Sequence, residues 1–287
     1  MKPKPAVTVI GTGAVGSVWI DYFWKAGYTI KSVWNSNSGE IFNTEYGNKK
    51  VTGRSYPQKE TEIGDLLLIT TPDSIISEVS EQLSKIETDW DKKNVVHCSG
   101  SFSAEILNPL AKLGAKTASM HPIQTFKKGD DSKRLNNIYI SLQGDEDLIR
   151  DLKDIVNDLN SNPLILDEKQ KQAVHISAVF ASNYLVALLN TSDTILKEQG
   201  IENGVQILKP LIVQTLHNIF EKGTLLSLTG PVSRGDSSTI SDHLERLSND
   251  HEIRELYRVL GRVCLGIIKE QNSLSEEQIS NIDKLFG

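Results

Sequence analysis

Cysteine is scarce: Cys98 and Cys264 are the only two in 287 residues. That excludes a disulfide framework and leaves no thiol cluster for a metal. Positive charge is not in excess either. Lys and Arg number 31 against 37 Asp and Glu, a net charge of −6, which argues against nucleic acid or an anionic membrane as partner. The longest nearly apolar run, 176–189, contains Ser182 and Asn183 and is too short to span a bilayer. The start, Met1-Lys2-Pro3-Lys4-Pro5, has no apolar h-region or cleavage site, so no signal peptide is expected. Internal repeats and low-complexity tracts are missing as well. A cytoplasmic protein that binds neither nucleic acid nor membrane, and no metal, is the expectation. One local basic cluster, Lys127, Lys128, Lys133 and Arg134, reads as a solvated loop.

The most informative stretch is the apolar run Ala6-Val7-Thr8-Val9-Ile10, followed by Gly11-Thr12-Gly13-Ala14-Val15-Gly16. A strand running into G-x-G-x-x-G and on into a helix is the setting of a dinucleotide-binding turn. Gly11 permits the tight turn, Gly13 lets backbone approach a pyrophosphate, and Gly16 lets helix and strand pack closely. The helix N-terminus then faces the phosphates.

Strand patterns recur at 7–10, 29–34, 66–70, 95–97, 117–120, 138–141 and 164–166. Several are continuous apolar runs, as in parallel strands covered on both faces. Helical patterns such as 74–86, with Asp73 as N-cap after Pro72, lie between them. After Asp167 only helical patterns follow, at 168–199, 205–222, 239–247, 252–269 and 275–285. Gly200 fits a helix C-cap, and Pro210 should kink its helix. The fold class is therefore α/β: a Rossmann-type doubly wound, mainly parallel sheet over residues 1–167, then an all-helical second domain over 168–287. The middle of the 168–199 helix is nearly apolar all round, which predicts burial, part of it in a homodimer interface.

The second strand ends in Asn35-Ser36-Asn37-Ser38. An NAD site usually has a carboxylate there for the ribose hydroxyls. Its absence favours NADP over NAD, with Asn35 and Ser36 as contacts. No arginine stands in this loop, although Lys49, Lys50 or Arg54 could fold in.

Polar groups cluster where this fold aims its strand ends. Thr71-Pro72 and Ser99 are placed to flank ribose and nicotinamide. His97 and His121 read singly as structural histidines, and Cys98 as a packing residue, since neighbours on an extended chain point to opposite faces. The segment from His121 to Gln124 would meet a small-molecule substrate. Lys171, His175 and Asn183 fall at spacings of four and eight, which are read as one face of one helix. A histidine and an asparagine facing a cleft could protonate and hold a carbonyl oxygen, whereas a buried polar pair is the plainer reading. Arg234 could clamp a carboxylate, with Asp236 beside it as a further substrate contact or as a helix cap.

Together, His97-Cys98-Ser99-Gly100, His121 to Phe126, His175 to Asn183 and Leu228-Thr229-Gly230-Pro231 through Asp236 resemble a known family along nearly the whole chain. It comprises NADP oxidoreductases that join a Rossmann domain to an uncharacterised helical C-terminal domain. The family is similar to 6-phosphogluconate dehydrogenase, pyrroline-5-carboxylate reductase and ketopantoate reductase. In ketopantoate reductases a lysine on the first long helix of the second domain is the general acid, and an asparagine two turns later holds the substrate. His175 and Asn183 match that spacing, with His175 in place of the lysine and Lys171 as the alternative donor. Arginine is frequent in the family after the second strand, and Asn35-Ser36-Asn37 departs from it. The resemblance implies NADPH-dependent reduction of a small 2-oxo acid, with ketopantoate as candidate. An imine reductase or a non-catalytic NADP-binding regulator are the alternatives.

Overall fold

A computed structural model describes residues 3–36, 41–44, 47–50 and 56–287, with backbone alone at 41–44 and 47–50. Arg54 lies outside the described residues, as do the side chains of Lys49 and Lys50. The chain folds as two compact units, Met1–Asn183 and Tyr184–Gly287.

The first unit begins with β1 (Val7–Ile10), α1 (Ala14–Lys25) and β2 (Ile30–Trp34). A hairpin, β3 (Ile41–Thr44) with β4 (Gly47–Lys50), follows. Next come β5 (Leu66–Ile69), α2 (Asp73–Leu83), β6 (Asn94–His97), the short α3 (Asn108–Ala111) and β7 (Lys116–Pro122). The unit continues through β8 (Tyr139–Gly144), α4 (Glu146–Asp158), β9 (Asn162–Ile165) and α5 (Glu168–Val179). Seven strands form one sheet in the order β2-β1-β5-β6-β7-β8-β9. All neighbours are parallel except β7 and β8. β1 and β5 are buried throughout, as their unbroken apolar runs predict for strands covered on both faces. One face packs Val18, Trp19 and Phe23 of α1 with Leu148, Leu152 and Val156 of α4. The other packs Ile76, Val79 and Leu83 of α2 with Leu107 and Leu110.

Local sequence explains several boundaries. Asp145 caps α4 through the amides of Asp147 and Leu148. Asp167 and Gln170 form a capping box at α5. Asp73 does not cap α2. It is the first helical residue, and Pro72 holds the N-cap position without a side-chain bond.

The second unit holds α6 (Leu185–Glu198), α7 (Gly204–Lys222), α8 (Pro231–Arg234), α9 (Ser237–Arg246), α10 (His251–Gln271) and α11 (Glu276–Phe286). Its core packs Val232, Ile240, Leu244, Leu265, Ile268, Ile282 and Phe286. Gly200 takes φ +74 after α6, with its amide on Lys197 O and the Ile201 amide on Leu196 O. That double bond is a Schellman motif, so the glycine stop falls where the sequence places it. Pro210 lies inside α7, which continues past it.

Between α5 and α6 the helix does not break but widens into a π-turn, Phe180–Tyr184. The compact first unit runs on past Asp167 to Asn183 because α5 packs on β8 and Lys171 bonds Ser99. The expected burial of the helix middle is not met within one chain. Ile176, Phe180, Tyr184 and Val186 are all exposed, Val186 by 68 %.

Candidate functional site

The glycine turn makes the first half of the site. Gly11 has φ +105, a backbone region L side chains rarely adopt, and a Cβ there would stand 2.8 Å from the Thr70 backbone. A Cβ on Gly16 would come within 2.2 Å of Gly11 O, so α1 can approach the strand only through a glycine. Gly13 differs: nothing lies within 4 Å of its Cβ position, which leaves space for a ligand. The first helical residues, Ala14 and Val15, have no intrahelical acceptor for their amides. The Thr70 hydroxyl donates to Gly11 O at 2.9 Å and pins the turn from β5.

This turn opens into a cavity of about 490 Å³ at the carboxyl ends of β1, β2 and β5. Gly11, Thr12 and Gly13 line one end, Asn35 and Ser36 the β2 side, and Thr71, Pro72, Ile75 and Val79 the far wall. Asn35 donates from Nδ2 to the Thr12 hydroxyl at 2.6 Å, which ties the β2 end to the turn. The Thr71 hydroxyl is buried without a hydrogen-bond partner. Such an orphan is costly unless a ligand satisfies it. The open Gly13, the crowded Gly11 and Gly16, and the unpaired Thr71 hydroxyl fit a dinucleotide.

Three cavity residues carry no signal for this role in the sequence: Tyr56, Glu78 and Lys128. Lys128 belongs to the basic cluster that reads as a solvated loop. No local pattern shows that its loop returns to the glycine turn.

The second half lies at the ends of β6 and β7. His97 is fully buried. Its Nδ1 accepts from the Ser99 amide at 3.2 Å, so Nε2 carries the proton and donates to Ser103 O at 3.1 Å. Burial, and then the charge of Lys171, pushes its pKa down to about 4. It shapes the loop as a neutral structural histidine. Burial pushes the Cys98 thiol up to about 12, as suits a packing residue. The Ser99 hydroxyl accepts from the Ser101 and Phe102 amides. Ser99, expected as a cofactor contact, holds its own loop through the oxygen of that hydroxyl, and its O–H proton is not used in these two bonds.

Gly100 brings two histidines together. A Cβ on it would lie 2.4 Å from His175 Nδ1 and 2.9 Å from His121 Nε2. The two rings meet edge to face, with centroids 6.1 Å apart. Burial first, then the charge of Lys171 and the presence of His175, pushes the His121 pKa down to about 4. Lys171 is itself only 2 % exposed, and burial lowers its pKa to about 8.

Asn183 stands eight residues after His175. In a regular helix that spacing leaves the two about 80° apart around the axis. The π-turn takes in one extra residue, so eight residues complete two turns and Asn183 returns to the His175 side. The Asn183 Oδ1 accepts from the Ser182 hydroxyl at 2.9 Å. Gln124 does not join this group: it is exposed, and its side-chain oxygen accepts from the Thr125 amide. In the second unit, Arg234 is the exposed last residue of α8. Asp236 is the N-cap of α9, accepting from Thr239 N and Oγ1 and from the Ser238 hydroxyl. Those bonds, the Thr239 hydroxyl first, hold its carboxyl below the usual range.

Fold and cavity together put the chain among Rossmann-like proteins that carry a helical second half. Residues 1–122 match the Rossmann-like domain family, and residues 138–264 match the domain of unknown function DUF2520. The chain joins the two. It is similar to BF3122 of Bacteroides fragilis, assigned as an NADP oxidoreductase, at 22% identity over 93% of this chain and 99% of that one, with a TM-score of 0.71. TM1727 of Thermotoga maritima is similar at 24% identity over 93% and 100%, with a TM-score of 0.68. An imine reductase from Pseudomonas sp. is 16% identical over 98% and 92%, with a TM-score of 0.56. At these identities the likeness is one of fold. No curated protein matches the chain by sequence.

Proposed function

We propose that the chain is an NADP-dependent oxidoreductase that reduces a polar double bond in a small molecule, NAD being the less suited cofactor. The observation that carries this reading is the glycine-walled cavity with its unpaired Thr71 hydroxyl, at the same carboxyl edge of the sheet as the His121–His175 pair. NADPH, when bound, supplies hydride. Gly11, Thr12, Gly13 and the α1 amides hold its diphosphate, and Asn35 and Ser36 meet its ribose side without a carboxylate to repel a 2′-phosphate.

His175 donates the proton to the substrate heteroatom, and Asn183 orients that group. The balance is one hydride to carbon and one proton to oxygen, turning a 2-oxo acid into a 2-hydroxy acid. Lys171, the alternative donor, is buried and bonded to Ser99 O, which suits an electrostatic role better. The charge of Lys171 makes the site electropositive, which favours a developing oxyanion. Arg234 is the candidate partner for a substrate carboxylate. A small 2-oxo acid is therefore the leading substrate class, with ketopantoate as the compound to try first.

Imine reduction is the second reading, supported by the fold shared with the Pseudomonas enzyme and with a Plasmodium falciparum pyrroline carboxylate reductase at a TM-score of 0.56. A titration against NADPH and NADH, then NADPH oxidation with ketopantoate and with a cyclic imine, separates these readings. Binding without turnover of either would favour a regulatory role. His175→Ala should lower kcat by about 10²–10⁴-fold with NADPH affinity retained. An unchanged kcat would remove His175 as donor.

We further propose a cytoplasmic homodimer. Exposed Val186 on α6, and Ile207, Leu211, Val213 and Phe220 on α7, leave large apolar surface uncovered, with Phe220 83 % exposed. The 168–198 helix holds a stretch long and apolar enough to cross a membrane. Yet the buried Lys171 ties its first turns to the sheet edge, which suits a protein partner better than lipid. A monomer by light scattering at micromolar concentration would remove the dimer.

A further inference from the structure

We propose that Lys128 is a phosphate-binding residue of the nucleotide cavity. The inference rests on reading that cavity as a dinucleotide site.

Lys128 sits in a tight turn. The Lys127 amide donates to Asp130 Oδ2 at 2.8 Å, and the Asp130 amide donates back to Lys127 O at 3.1 Å. Gly129 takes φ +94 between them, which only glycine adopts freely. The next residues are fastened to α1. Lys25 Nζ bridges Asp131 at 3.0 Å and Asp21 at 2.7 Å, and the Ser132 amide donates to Asp21 Oδ2 at 3.0 Å. The segment is thereby held against the helix whose N-terminus carries the glycine turn. Its position is set by tertiary bonds to residues more than a hundred positions away in the chain.

Charge gives the placement its purpose. A dinucleotide diphosphate brings two negative charges into the cavity. The helix N-terminus offers about half a positive charge. Glu78 adds a carboxylate to the same lining, and among the described residues Lys128 is its one cationic side chain. An ammonium on a long stem suits a phosphate as a point charge without fixed geometry. Being exposed, Lys128 can meet the phosphate without first being buried as an ion.

The test is the affinity of the full-length protein for NADPH and for NADH, in the wild type and in Lys128→Gln, Lys128→Glu and Lys127→Gln. Lys128→Gln should weaken binding about tenfold, with Lys128→Glu weaker still and Lys127→Gln within about twofold of wild type. Equal weakening for both nucleotides assigns Lys128 to the diphosphate, and weakening confined to NADPH assigns it to the 2′-phosphate. Unchanged affinity in Lys128→Gln, or an equal loss in Lys127→Gln, would overturn the inference alone. A wild-type protein that binds neither nucleotide would overturn the dinucleotide reading as well.

Discussion

The ammonium of Lys171 donates a 2.6 Å hydrogen bond to the backbone carbonyl of Ser99, 72 residues away in the chain. That bond ties the first turns of α5 to the loop after β6. It also sets the electrostatics around Gly100, because the same charge helps to keep His97 and His121 neutral.

Lys171→Met should therefore raise the pKa of both histidines and loosen the 98–101 loop. NMR titration should show the His121 shift, and kcat should fall more than NADPH affinity. The stability profile follows from linkage. The lysine pKa is about 8 in the folded state, against 10.5 unfolded. Between those values the unfolded chain holds more protons, so wild-type stability rises with pH by at most about 3 kcal/mol. The rise should be missing in the variant, and chemical denaturation at pH 7.5 and at pH 10 would check it.

On the acid side, His97 and His121 fall to about 4 from 6.5. The unfolded chain takes up protons first, so stability should drop as pH falls from 6.5 to 4 and stop responding to these groups below that. Each contributes up to about 3 kcal/mol. His97→Gln, which can still donate to Ser103 O, should flatten the slope in urea titrations over that window. An unaltered slope would mean that His97 is protonated in the folded protein.

Gly100→Ala places a methyl group against both His175 and His121. The rings must move apart, so kcat should fall about tenfold or more while NADPH affinity stays close to wild type. Steady-state kinetics beside a binding titration separates the two effects.

Gly13 and Gly16 should behave oppositely on substitution by alanine. Gly13 has φ −67 and open space at its Cβ position, so Gly13→Ala should keep its Tm and lose NADPH affinity about tenfold or more. Gly16→Ala drives a methyl into Gly11 O and should cost about 1–3 kcal/mol or more of stability. Thermal melts with and without NADPH distinguish them.

Much of this is legible in the chain. The strand–glycine–helix start, the stop at Gly200 and the all-helical second half are written in residue types a few positions apart. So is the choice of Gly11 and Gly16, whose crowded positions match the tight turn and the close packing read from their spacing. Other features escape a reading of the sequence because local pattern is blind to distant partners. The apolar middle of the 168–198 helix signals a need for cover but not whether its own chain supplies it, and Val186 and Phe180 remain exposed. Asp236 reads equally well as a ligand or a cap until its bonds to Thr239 are seen. The one face read from a spacing of eight assumes a regular helix, which would leave His175 and Asn183 about 80° apart, and the π-turn that changes this leaves no clear mark in the sequence.

By itself the sequence determined the alternation of strand and helix, the glycine turn and the helix stops. Hydrophobic period, backbone freedom and capping act between residues within one or two turns of each other. Only the tertiary structure decided that β8 runs antiparallel beside β7, that Gly100 lets His121 and His175 meet, that Lys171 lies buried under Ser99 and that Lys128 borders the glycine turn. Each of those joins residues far apart in the chain, and packing around a shared core, not local propensity, selects which distant groups come together.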